Sequence, residues 1–248
     1  MIEVTTMSRI DNKIAIVTGS AQGIGRQIAL ALARAGADIV VVDLTAGRCT
    51  QVVKEIHDLG SKAIGVGCDI TNEQQVNNLI ASAISEFGQI DILVNNAGWQ
   101  YVASIEDSTL EQWDRTMAVN LRGPFLCSRA VIPIMKKQGQ GVIINVTSRG
   151  GRVAKAMAAA YGASKFGLNG FTQCLALEVA THGIRVMALA PPHTNTPLAR
   201  EVVKQLDPKI DTSSWSDGSE FGAIVAWAAS EEADTLNGQI IETGGLRP

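Results

Sequence analysis

The chain has 248 residues, 46% of them hydrophobic and 18% charged, with a formal net charge of −3. That length and apolar share suit one sizeable buried core and exclude intrinsic disorder. The slight acidity argues against a nucleic-acid partner held through bulk positive charge. Cys49, Cys68, Cys127 and Cys174 form no CxxC pair and no ladder with histidine. A disulfide scaffold or metal site is therefore not expected, and a reducing cytosol is. Gly, Asp, Arg or Lys breaks every apolar run before it reaches membrane-spanning length, and MIEVTTMSRIDNK lacks a signal-peptide layout. A cytoplasmic protein with no membrane partner is the expectation, with Met7 a second candidate start.

In chain order, short Val/Ile-rich runs at 13–18, 38–43, 62–68, 92–95, 141–145, 185–190 and 239–242 read as strands. Their hydrophobicity is nearly continuous, as in strands covered on both faces. Helical patterns occupy 23–35, 45–59, 72–87, 110–137, 158–180 and 218–229. Gly36, Gly60 and Gly88 fall just after three of them, where a left-handed cap favours glycine. Strict alternation predicts an α/β fold: a Rossmann-type, doubly wound parallel sheet with helices on both faces. No repeat or interdomain linker interrupts it, so residues 1–248 read as one domain. The irregular stretch 191–219, rich in Pro, Ser, Thr and Asp, reads as a flap where such a sheet opens its ligand crevice.

The first strand runs into Thr18-Gly19-Ser20-Ala21-Gln22-Gly23-Ile24-Gly25 and then a helix. Glycines there permit a tight turn and close approach of backbone to a pyrophosphate, beside the positive end of a helix. The spacing is GxxxGxG rather than GxGxxG, and a purely structural turn has the same composition. The second strand ends at Asp43, 18 residues after Gly25. A carboxylate there accepts hydrogen bonds from ribose hydroxyls and repels a 2′-phosphate. Leu44 and Thr45 follow with no basic residue, and Gln22 is uncharged, which favours NAD over NADP. A solvated strand-end acid is the alternative.

With Cys68-Asp69-Ile70, Asn95-Asn96-Ala97-Gly98, Asn120, Ser148 and Tyr161-Gly-Ala-Ser-Lys165 added, the chain resembles the short-chain dehydrogenase/reductase family from Lys13 to Gly245. The resemblance implies a seven-stranded parallel sheet, a nicotinamide cofactor and hydride transfer at a carbonyl carbon. It implies that Gly19, Gln22, Gly23, Ile24, Gly25, Asp43 and Leu44 line the cofactor, that Asp69 and Ile70 meet the adenine, and that Asn95, Ala97 and Gly98 follow. Pro191, Thr194 and Thr196 would lie near the nicotinamide carboxamide, and Asn120 would hold a water linking the lysine to solvent. It also implies a homotetramer or homodimer pairing the helices at 110–137 and 158–180, with the tail GQIIETGGLRP a candidate for a second interface.

Tyr161 and Lys165 are four apart on one helical face. An ammonium beside a phenol favours the phenolate, and a shift of two to three units is worth about 3–4 kcal/mol. Tyr161 is thus the expected general acid/base, with Lys165 also reaching the nicotinamide ribose. Ser148 ends the fifth strand 13 residues earlier and is placed to hold the substrate oxygen. Asn120 falls mid-helix, where its poor propensity fits a functional or a bending role.

Two features are particular to this chain. Pro192 stands where the family carries a flexible glycine, which removes an N–H at the flap entrance. No Asp or Glu occurs from Arg115 to Leu177, while nine Lys or Arg do. Arg115, Arg122, Arg129 and Lys136, each seven apart, form one stripe along the 110–137 helix, solvated or facing a subunit. The small-molecule substrate is expected against Trp99, Arg149, Arg152 and His193, and the two arginines raise the expectation of an anionic group. Solvated loop cations are the plainer account. The leading function is an NAD-dependent oxidoreductase acting on a secondary alcohol/ketone pair. A 3-oxoacyl-thioester reductase and a non-catalytic NAD-sensing module are the alternatives.

Overall fold

The computed structural model describes residues 9–207 and 209–244. The candidate start at Met7 and the last residues of the tail lie outside them. Seven strands form one sheet: β1 (Ile14–Thr18), β2 (Asp38–Asp43), β3 (Ala63–Gly67), β4 (Ile92–Asn95), β5 (Gly141–Val146), β6 (Ile184–Ala190) and β7 (Ile240–Glu242). Their spatial order is β3-β2-β1-β4-β5-β6-β7, every neighbouring pair parallel. The chain winds outward from β1 through β3, then returns to lay β4 on the other side of β1. Loops leaving the carboxyl ends of β1 and β4 therefore diverge, which opens a crevice there.

Helices cover both faces: α1 (Gly23–Arg34), α2 (Ala46–Asp58), α3 (Glu73–Phe87), α4 (Leu110–Met117), α5 (Gly123–Gln138), α6 (Ala159–Val179), α7 (Pro197–Leu206) and α8 (Ser219–Ala229). One apolar layer joins Ala15, Val17, Ile39 and Val41 to Ile28, Leu32, Phe221 and Val225. The other joins Ile16, Val40, Val42 and Leu93 to Leu79, Val131, Met135 and Leu175. Alternate residues of β1 and β2 thus enter opposite layers, which is why the strands read as unbroken apolar runs.

The helix at 110–137 is not continuous. A π-helical turn over Ala118–Arg122 separates α4 from α5 and shifts the phase of everything after it. The expected cationic stripe is broken with it: Arg115 lies over the Trp99 ring at 4.6 Å, whereas Arg129 pairs with Glu73 and covers Phe125. The flap also carries a helix the composition hid. α7 is capped by Thr196, whose hydroxyl accepts from Ala199 N, and begins at Pro197.

Candidate active site

The turn after β1 is held to the loop after β4 by bonds between side chains and main chain. Thr18 Oγ1 accepts from Asn96 N and Ala97 N at 3.0 and 3.1 Å, and Asn96 Nδ2 donates to Thr18 O and Gly19 O. Gly19 takes φ +63°, and a Cβ on Gly25 would stand 2.3 Å from Gly19 O. No other residue type fits at Gly25 without moving backbone. Gln22, before α1, is extended and makes no side-chain cap, and the first turn of α1 carries no acid. Its free N–H groups therefore face a cleft of about 500 Å³.

Gly19, Gln22, Gly23, Ile24 and Gly25 line that cleft, as do Asp43, Leu44, Asp69 and Ile70 towards one end and Ala97, Gly98 and Trp99 beyond the turn. Tyr161, Lys165, Pro191 and Thr196 line the other end. Asn95 does not. It is buried beside its register partner Asn145, to which it donates at 2.8 Å, and Asn96 takes the cleft position. Strand alternation is the reason: Asn95 still belongs to β4 and points into the layer below. Thr194 is also turned away, its hydroxyl donating to Pro192 O at 2.8 Å.

Sequence spacing missed Arg48. No basic residue follows Asp43 directly, but the first turn of α2 folds Arg48 back so that its Nε stands 2.9 Å from Asp43 Oδ1. Arg48 lines the cleft. Arg115 and Thr147 line it as well; the Thr147 hydroxyl is buried with no hydrogen-bond partner among the described residues. A glycine cradle, an uncapped helix start and an unpartnered hydroxyl at the far end fit an extended dinucleotide.

At the catalytic end, α6 buries a stripe at Ser164, Lys165, Leu168, Asn169 and Thr172. Lys165 Nζ donates to Val146 O at 2.9 Å, and burial pushes its pKa down to about 8. Burial also pushes the Tyr161 phenol up, with a hydrogen bond to Ser148 acting in the opposite direction. The expected lowering of Tyr161 by the Lys165 ammonium is absent. Nζ is 5.9 Å from the ring centroid and is spent on a carbonyl. Ser148 Oγ also accepts from Gly150 N at 3.0 Å, which fixes its rotamer.

Asn120 sits in the π-turn, fully buried. Its Oδ1 accepts from Trp99 N, and its Nδ2 donates to Trp99 O and Ser164 Oγ. The carboxamide thus fastens the Trp99 loop to α6 and makes no bond to Lys165. Arg149 and Arg152 stand 3.6 and 3.9 Å from the carboxylate of Glu242, outside the cleft lining. His193 stacks on Trp215 at 5.0 Å, and burial, then Lys155 and Arg149, holds its pKa below the usual value. Among the described residues no cluster of His, Cys, Asp or Glu is arranged to hold a metal ion, and no helix is long and apolar enough to cross a membrane. All four cysteines are free, and burial pushes Cys68 to about 11 and Cys127 to about 12.

A single parallel α/β sheet with a glycine turn after β1 and a Ser-Tyr-Lys set beside β5 defines a Rossmann-type oxidoreductase. Residues 13–207 match a family model described as short chain dehydrogenase, and the chain belongs to that family, whose members typically bind a nicotinamide cofactor. It is 43% identical over 193 residues to D-beta-hydroxybutyrate dehydrogenase of Rhizobium meliloti, covering 77% of this chain and 75% of that protein. It is 36% identical over 246 residues to D-threitol dehydrogenase of Mycolicibacterium smegmatis, covering 96% and 94%. The crystal structure of a short-chain type dehydrogenase/reductase from Mycobacterium marinum superposes with a TM-score of 0.88 at 31% identity, over 96% of each chain.

Proposed function

We propose that the chain is a cytoplasmic, NAD-dependent oxidoreductase that interconverts a secondary alcohol and its ketone. The observation that carries this reading is that Tyr161 and the buried Lys165 line one cleft with the glycine turn and Asp43. When bound, the nicotinamide supplies the hydride donor or acceptor and, oxidised, a positive charge. Gly19 to Gly25 and the start of α1 hold the pyrophosphate, while Asp43 and Asp69 face the adenosine. Ser148 orients the substrate oxygen, and Tyr161 Oη takes its proton in oxidation or returns it in reduction. Lys165, whose Nζ is 5.9 Å from the Tyr161 ring centroid, would support the phenolate that oxidation needs by moving towards it from Val146 O.

Two relatives are named for dehydrogenation of hydroxybutyrate and of threitol, which supports a small, polar, hydroxylated substrate. Trp99 lines the cleft on the substrate's side, while Arg149 and Arg152, outside the lining and held on Glu242, would meet an anionic group only by leaving that carboxylate. Leu110, Phe125 and Phe166 are exposed on α4, α5 and α6, which supports self-association into a homodimer or homotetramer through these helices. The test is NADH formation on a panel of secondary alcohols and 3-hydroxy acids. Turnover that survives intact in Tyr161→Phe overturns the mechanism; cofactor binding without turnover on any substrate favours a sensing module.

A further inference from the structure

Asn95, Thr147 and Asn169 each bury a side-chain oxygen that has no hydrogen-bond partner among the described residues. Of these, Thr147 alone lines the cleft. It follows β5 directly, between Val146, whose carbonyl takes the Lys165 ammonium at 2.9 Å, and Ser148. Thr147 N donates to Leu189 O at 2.9 Å, so the main chain here still follows the sheet and the side chain cannot turn away freely. The residue is 3% exposed. A hydroxyl desolvated in this way without a partner destabilises the fold, and a ligand that brings it a donor or an acceptor reverses that.

The neighbouring polar groups are already engaged. Thr194 donates to Pro192 O, the Thr196 hydroxyl accepts from Ala199 N, Lys165 Nζ is on Val146 O, and Pro192 has no N–H to offer. Ser148, next along the chain, has its Oγ on Gly150 N. The groups a dinucleotide brings to the Lys165 end are a ribose diol and a carboxamide, both neutral, and a hydroxyl that donates and accepts can match either. Resting on the dinucleotide reading above, we propose that Thr147 is a cofactor-binding residue: its hydroxyl bonds the nicotinamide riboside half of the cofactor and makes no bond in the free protein. Part of the cofactor's affinity is thereby drawn from a group that the fold leaves unpaired.

Thr147→Val, which replaces the hydroxyl by a methyl group of similar shape, should have two effects of opposite sign. The melting temperature of the ligand-free protein should rise by about 2–4 °C, because an unpaired hydroxyl leaves the interior. Calorimetric NAD+ affinity should fall about three- to tenfold, the size of one neutral hydrogen bond. ADP, which carries the adenosine and both phosphates but no nicotinamide riboside, should bind wild type and variant alike. ADP-ribose separates the two partners: its affinity falls with that of NAD+ where the ribose is bonded, and holds where the carboxamide is. Thr147→Ser, which keeps the hydroxyl, should restore most of the NAD+ affinity. NAD+ affinity unmoved by Thr147→Val overturns the assignment. An equal loss for ADP, or a lower melting temperature, does so too, by making the hydroxyl a structural group. A wild type that binds neither NAD+ nor ADP overturns the cofactor reading beneath it.

Discussion

The two ends of the cleft are built from different materials. The glycine-turn end is set by backbone shape: a Cβ on Gly25 would strike Gly19 O, and the Thr18 and Asn96 side chains bond main-chain amides and carbonyls. The catalytic end is made of side chains on one buried stripe of α6, where desolvation of Tyr161 and Lys165 decides which form each takes. Function at the first end therefore depends on what fits, and at the second on which groups carry charge. Substitutions at the first should move affinity and stability together; those at the second should separate turnover from binding.

The largest effect is expected at the catalytic end. Tyr161→Phe should lower kcat/KM by at least about a hundredfold, the usual worth of a positioned acid/base, while calorimetric NAD binding persists. Loss of binding in parallel would assign the phenol a structural task. Lys165 comes next. Its pKa lies near 8 when folded against an ordinary 10.5. Below about pH 8 both folded and unfolded chains carry the proton; between 8 and 10.5 the unfolded chain alone tends to, so stability from this group rises with pH. The unfolding free energy of the wild type minus that of Lys165→Met should climb by up to about 3 kcal/mol from pH 7 to 10. A flat difference would show that the ammonium is solvated. Tyr161, present in both proteins, cancels.

The glycine-turn end gives a smaller effect of opposite character. Helix propensity alone favours Gly25→Ala by about 1 kcal/mol. The added Cβ would meet Gly19 O at 2.3 Å and Asn96 Nδ2 at 2.5 Å, and overpacking against backbone costs about 1–3 kcal/mol. A net loss of melting temperature with weaker NAD binding is expected. A stabilised variant with full affinity would show that this end is not sterically set.

The same division explains what was legible from sequence. Apolar runs locate all seven strands to within a residue or two, and glycine spacing finds the turn, because local backbone demands leave local signals. The Tyr161–Lys165 spacing places both on one face, but the sign of the Tyr161 shift was out of reach, since burial arises from β5 and α6 packing together. The π-turn at Asn120 leaves no periodic mark: the inserted phase is fixed by bonds to Trp99, 21 residues away. Arg48 meets Asp43 through the α2 entry, five residues on and not adjacent. α7, by contrast, had a readable start in Thr196-Pro197 within the flap.

The smallest effect on stability is expected at the substrate rim, where charge is neither buried nor sterically fixed. Arg149 and Arg152 are about half exposed and share Glu242 at 3.6 and 3.9 Å. Such pairs contribute little, so Arg152→Ala should cost no more than about 0.5 kcal/mol in unfolding free energy. Its effect on catalysis depends on the substrate's charge. If the arginines meet an anionic group, Arg152→Ala should raise KM several-fold for a 3-hydroxy acid and leave a neutral diol unchanged. Glu242→Gln, which frees both guanidinium groups, should lower KM for the acid. Equal responses for acid and diol would assign the pair to holding β7 against the loop after β5, and would leave neutral polyols as the favoured substrates.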